Sequence, residues 1–321
     1  MIAISYCWIS PDHPDPNGYY LEVLAKMAGL FLEGKFEEEK KDKEYTVNGQ
    51  PPPAWYLRDG GFAFGAGDGR PVFVFLDWTG VPQDKPHGSR TEAETAVFKD
   101  ALKNINLWYA HSATSTWMLT FLPEGAMRTD YGSSGWTFFE FCVGALLSHS
   151  CKLLRIDAGV REKLLEGYWD EDRDCYPPHP GDYLQLSLDT MDTQRGPPLA
   201  PDRFNQMVDE KTFTNGADAD AIVKPKYLNT FNAVIVGAEE LNYSGLRFDD
   251  ENARGVLEAV RTHCKRGTLK RLNLSESSPE MKVPLEEWAG VAGEMALEGL
   301  NLTMCSGVSG DLASVAGLTH L

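Results

Sequence analysis

The chain has 321 residues, 47 acidic against 30 basic, giving a formal charge of −17 and a pI near 4.8. Hydrophobic residues make up 42% and aromatics 11%, a globular composition that excludes collagen-like, wholly disordered and small disulfide-stapled chains. So acidic a chain repels phosphate backbones, and it shows no basic patch, so neither nucleic acid nor an anionic membrane is an expected partner.

The length suggests roughly two domains, each able to bury a core. No run of about 18 apolar residues occurs, and the opening MIAISYCWIS has neither a basic leader nor room for an apolar segment before Pro11. Cys7, Cys142, Cys151, Cys175, Cys264 and Cys305 are scattered with no CxxC pair, which reads as reduced thiols. The expected compartment is the cytoplasm. Glycosylation sequons at Asn242, Asn273 and Asn301 are then incidental.

Residues 2–8 alternate and are β-prone, predicting an opening strand. A helix capped by Asn17 should run to about Glu33, burying Leu21, Leu24, Met27, Ala28 and Phe31. Residues 34–71, with EEEKKDKE, PPP and a glycine-rich FGAGDG, read as an insertion. VFVFLDW (72–78) has the look of a buried parallel strand. Thr91 and Glu94 form a capping-box pair before an amphipathic helix carrying Val97, Phe98, Ala101, Leu102, Ile105 and Trp108. A strand at 116–122, a helix at 135–149 and a strand at 152–158 follow. Strand–helix alternation of this kind predicts a parallel sheet with helices on both faces. The α/β domain therefore covers 1–158, and an irregular, partly helical connector covers 159–237, with weak helices near 202–210 and 219–236.

From Ala238 the texture changes. Ala238–Leu241–Tyr243, Leu269–Leu272–Leu274, Leu297–Leu300–Leu302–Cys305 and Leu318–Leu321 recur at intervals between 21 and 31, and the third is a complete LxxLxLxxC unit of the leucine-rich-repeat kind. In that spacing a short strand turns alternate leucines inward, and DDENARGVLEAVRTHCKRG reads as an outer helix. Residues 238–321 are thus expected to begin a leucine-rich solenoid that binds a protein partner. The chain stops in mid-repeat, so the array is expected to continue.

Most candidate chemistry reads as structure. FGAGDG lacks GxGxxG spacing and precedes a strand, and Gly132–Gly135 misses GxSxG by one position, so it caps the next helix. Cys7 reads as a buried strand thiol rather than a nucleophile paired with His13, and the histidines show no metal-ligand spacing. Glu140 differs, because it stands in an apolar helix, WTFFEFCVGALL, on one face with Trp136. A carboxylate there must be paired or face a cleft. Asp77 ends the 72–78 strand, where open α/β sheets place their ligand crevice. With Trp8, Trp78 and Trp136 nearby, these carboxylates suit a cationic or aromatic ligand.

Three segments carry a family resemblance over residues 2–157. ISYCW (4–8) resembles the LSYCW opening of fungal heterokaryon-incompatibility (HET) domains. FLDWTGVPQD (75–84) is similar to their WIDSLCINQD segment, and GWTFFE (135–140) to their GWTFQE. The last helix also resembles the W-C-x-x-E-L signature of TIR domains, a related flavodoxin-like fold. The resemblance implies an intracellular receptor-like protein in self/non-self or pathogen signalling, with NAD⁺ cleavage in some members. It gives Glu140 the place of the catalytic carboxylate, which would stabilise or trap an oxocarbenium-like ribosyl centre as neutral nicotinamide leaves. Trp8, Ser10, Asp77, Trp78 and Trp136 would line the substrate site. NAD⁺ is then substrate, with no cofactor or metal. Many members of both families are adaptors, which leaves a non-enzymatic, self-associating scaffold as the alternative.

Overall fold

A computed structural model describes residues 1–32, 73–84, 88–111, 114–147, 153–166, 196–246 and 248–316. The chain divides into two compact units: Met1–Phe138 with Cys151–Met191, and Phe139–Ser150 with Asp192–Leu321.

The first unit is α/β. Strand β1 (Ile2–Tyr6) lies between β2 (Val74–Phe75) and β3 (Ser115–Leu119), and β3 pairs with β4 (Leu153–Ile156). All three pairings are parallel, and the order β2-β1-β3-β4 is consistent with a flavodoxin-like layout. The strands predicted at residues 2–8, 116–122 and 152–158 form β1, β3 and β4. Every residue of β1 and β3 is buried, because helices cover both faces of a parallel sheet. Helix α1 (Tyr19–Leu32) and helix α5 (Ala158–Glu166) pack together beside this core. Ile2, Ile4, Tyr6, Tyr20, Val23, Met27, Trp117, Leu119, Leu154, Ile156 and Val160 form one cluster.

Two expectations are corrected here. Helix α1 is capped by Asp15 rather than Asn17: Oδ2 of Asp15 accepts from the backbone N–H groups of Tyr20 and Leu21, at 2.9 and 3.0 Å. The buried stripe is Tyr20, Val23 and Met27, and Leu21 is 52% exposed. The 72–78 run is not a buried central strand either. Only Val74 and Phe75 pair, on β1 alone, and Phe73 and Val74 are 65% and 54% exposed. Phe75 is buried, stacking on Trp108 with ring centroids 4.3 Å apart, and Leu76 packs part-buried against the core. A helical turn, α2 (Asp77–Gly80), follows at once.

Helix α3 (Glu92–Ala110) carries the predicted capping box. Thr91 Oγ1 accepts from Glu94 N–H, and the Glu94 carboxylate accepts from Thr91 N–H at 2.8 Å. Its buried residues are Ile105, Tyr109 and Ala110, whereas Val97 is exposed. Helix α4 (Gly135–Leu147) matches the apolar helix predicted there. Its first turn belongs to the first unit and the rest, from Phe139, to the second.

After the α4 segment, the second unit continues with helix α6 (Pro201–Asp209) and a continuous helical stretch over 219–236, in which wide π turns bracket α7 (Lys224–Phe231). Pro225 cannot donate to the carbonyl four residues back, and the helix widens just before it. Phe204 stacks on Tyr227 at 3.7 Å, and Phe231 meets His263 edge to face. Three short strands follow, β5 (Glu240–Asn242), β6 (Arg271–Asn273) and β7 (Gly299–Asn301), pairing parallel in that order. Helix α8 (Asp250–His263) joins the first pair and α9 (Leu285–Met295) the second. Leu241, Tyr243, Leu272 and Leu274 point into the core, as their spacing predicts.

The turns that leave the strands are alike. Asn242, Asn273 and Asn301 each accept, through Oδ1, the N–H two residues on, all at 3.0 Å. A left-handed residue follows each time: Gly245, Glu276 and Met304, with φ near 60–73°. The ladder runs on past the strands, Tyr243 N–H to Asn273 O and Leu274 N–H to Asn301 O. The sequons are thus explained as turn chemistry, an asparagine bonded to the amide of the serine or threonine that completes the motif. Among the described residues no helix is long and apolar enough to cross a membrane.

Candidate functional site

The carboxyl ends of β1 and β2 bring Tyr6, Trp8, Asp77 and Trp78 into one bonded group. Trp8 leaves β1 two residues after its end, and Asp77 opens α2 two residues after β2. Parallel strands deliver both side chains to the same edge of the sheet, where α/β folds bind ligands. The Asp77 carboxylate meets three donors. Tyr6 Oη donates to its Oδ1, Trp78 N–H donates to the same oxygen at 2.7 Å, and Trp8 Nε1–H donates to Oδ2 at 3.4 Å. Burial pushes the Asp77 carboxyl above its ordinary range, outweighing the downward pull of these bonds.

The rings stand around this carboxylate. Trp8 and Trp78 meet edge to face, centroids 5.2 Å apart and planes at 82°. His13 packs on the other ring contact of Trp78, at 4.7 Å and 57°. Ser10 belongs to the turn that carries His13: its Oγ donates to His13 O at 2.9 Å and accepts from His13 N–H at 3.0 Å. The Nδ1 of His13 accepts from Asp15 N–H at 2.9 Å. Trp8, His13, Asp77 and Trp78 are all half-buried, so the group reaches the surface.

The structure therefore joins Trp8, Asp77 and Trp78, with Ser10 in the adjoining turn. Trp136 is half-buried in the first turn of α4, within the first unit. Glu140 is 9% exposed and belongs to the second unit, flanked by the fully buried Phe139 and the buried Cys142 and Val143. Cys7 is 2% exposed, its sulfur 3.8 Å from Tyr131 O and 4.0 Å from Thr137 Oγ1, which agrees with a buried strand thiol. Among the described residues, no group of three His, Cys, Asp or Glu side chains is placed to hold a metal ion. The whole 34–71 insertion, the glycine-rich FGAGDG segment included, lies outside the described residues.

Sequence reasoning missed Tyr6, His13 and Asp15 as members of this region. Tyr6 reads as one more apolar strand residue, and its bond to Asp77 spans 71 positions. The signal for Asp15 was local: an acidic residue shortly before Gly18, whose φ of 72° turns the chain into α1. No protein-family model, no curated protein and no solved structure matches the chain significantly.

Proposed function

We propose that the chain is a receptor-like signalling protein, in which a HET/TIR-like α/β unit acts as the signalling or effector module and a leucine-rich array binds another protein. The observation that carries this reading is the repetition in the second unit. Three strands in register, three Asn-bonded turns and three left-handed residues recur at matching positions. Such repetition is the mark of a solenoid, whose strand face is its common binding surface. The helices over 201–236 support the reading as an amino-terminal cap, since Phe231 and Ile235 are buried and Cys264 Sγ, just after α8, donates to Ile235 O at 3.4 Å. Arg254 and Arg261 of α8 reach Glu287 and Glu294 of α9 at 3.0 and 3.1 Å, tying successive outer helices together. A photo-crosslinking residue at Arg271 on the strand face tests the proposal in cells. It should capture a protein that the same residue at exposed Glu258 on α8 does not. Equal capture at both positions overturns it.

A second reading, NAD⁺ cleavage with Glu140 as the catalytic carboxylate, is supported by the resemblance of GWTFFE (135–140) to the HET and TIR helix motif. Nicotinamide leaves as a neutral base, so one carboxylate beside the ribosyl centre suffices without a general acid. Incubating wild type and Glu140→Ala with NAD⁺ at high protein concentration, and following nicotinamide release, tests it. Equal release by both variants removes Glu140 from the mechanism. Absence of release from wild type leaves the adaptor role.

A further inference from the structure

The Trp8–Trp78 corner is the part of the second reading's substrate site that does not depend on Glu140, and the inference drawn from it deepens that reading. We infer that it is a binding site for an organic cation that donates no strong hydrogen bonds, such as a quaternary ammonium or an N-alkylated pyridinium. Two indoles at 82° with centroids 5.2 Å apart make two walls of a corner, and their faces attract positive charge. Behind the walls stands Asp77, which adds negative potential at short range. A nearly perpendicular aromatic pair beside a carboxylate is the arrangement by which proteins hold alkylated ammonium groups.

The ring faces select the kind of cation. Asp77 Oδ1 accepts from Tyr6 Oη and Trp78 N–H, and Oδ2 accepts from Trp8 Nε1–H at 3.4 Å, so the carboxylate adds field beside the rings and keeps an acceptor position on Oδ2. Indole faces attract charge without accepting a strong hydrogen bond, which suits an alkylated or delocalised cation that has few such bonds to lose on leaving water. His13, the third ring, packs on Trp78 with centroids 4.7 Å apart and is held there by the bond from Asp15 N–H to its Nδ1. The formal charge of −17 draws cations toward the whole molecule.

The ligand has two sources, an alkylammonium compound or the pyridinium ring of a nicotinamide nucleotide. Titration of the full chain at pH 8 with choline and with N-methylnicotinamide, each against its neutral counterpart (3,3-dimethylbutan-1-ol and nicotinamide), separates them. At least one cation should bind about tenfold more tightly than its counterpart by calorimetry. The stronger cation identifies the source. Trp78→Leu should abolish the preference, Trp78→Phe should retain part of it, and Asp77→Asn should weaken the cation severalfold while leaving the neutral compound unchanged. Should Trp78→Leu fail to fold, the Asp77→Asn comparison decides alone. Equal affinity for cation and neutral counterpart, or a preference untouched by Asp77→Asn, overturns the proposal. Binding is measured without turnover, so absence of NAD⁺ cleavage counts only against the catalytic reading.

Discussion

Replacing Asp77 by Asn tests the electrostatics at the sheet edge through the pH dependence of stability. The carboxyl's ordinary value is 3.8, and in the folded protein burial raises it. Between 3.8 and the raised value, the native state keeps a proton that the unfolded chain has released. Native binding of the extra proton makes stability fall as pH rises through that window, by up to about 1.4 kcal/mol per pH unit for one group. Asparagine has no proton to release. It keeps an oxygen for Tyr6 Oη and Trp78 N–H, and it loses only the 3.4 Å bond from Trp8, at the weak end of the hydrogen-bond range. The stability of Asp77→Asn relative to wild type should therefore rise with pH from about 4 upward and level off above the folded value. Urea unfolding at half-unit steps from pH 4 to 8, followed by fluorescence and circular dichroism, measures the difference directly. A difference that is flat or falls with pH refutes the reasoning. It would mean that the three donors outweigh burial and hold the carboxyl low.

Other expectations follow from single contacts. Thr91→Ala removes the acceptor for Glu94 N–H and half of the capping box, and should lower the urea-unfolding stability by about 1 kcal/mol. Gly307→Ala would place a Cβ 2.3 Å from Pro279 O and 2.5 Å from Met281 O, both backbone atoms that cannot rotate away. It should cost more than the roughly 1–3 kcal/mol usual for overpacking, seen as a large fall in melting temperature, and a neutral outcome would show that the 305–310 segment is placed differently. The Cys264 thiol, 9% exposed, is pushed up to about 11 by burial, so its thiolate fraction at pH 8 is about a hundredfold below that of an ordinary thiol at 9.0. Iodoacetamide labelling followed by peptide mass spectrometry should find Cys264 protected in the native protein and reactive in urea.

The strands at residues 2–6, 115–119 and 153–156 were legible because each is a short β-prone segment set beside a helix-like stretch, the alternation that builds a parallel α/β sheet. The Thr91–Glu94 box was legible because its partners lie three residues apart. The phase of α1 was not. Leu21 and Tyr20 are equally good helix residues, and only the Asp15 cap and the contacts of Tyr20 with Tyr6 and Phe121 show which one turns inward. The FVF run misled for a related reason: hydrophobicity does not record whether a strand has one neighbour or two. At the site, Trp8, Asp77 and Trp78 could be brought together on paper because each follows the end of a strand in one parallel sheet. The Tyr6 bond and the His13 stacking depend on how β1 and the 9–15 turn meet a segment some 70 positions away, and nothing local marks them.

In the second unit, corresponding strand residues are 31 positions apart from Leu241 to Leu272 and 28 from Leu272 to Leu300. The intervening helices have 14 and 11 residues, and the segments beside them differ too, seven residues before and after α8 against eleven before and three after α9. The whole return path absorbs the difference while the strands keep their register. The outer side thus works as an expansion joint. Close to one helical turn can be inserted or deleted there without moving a side chain on the strand face. Length and surface specificity can then drift independently in this protein, one recorded on the return path and the other on the strands.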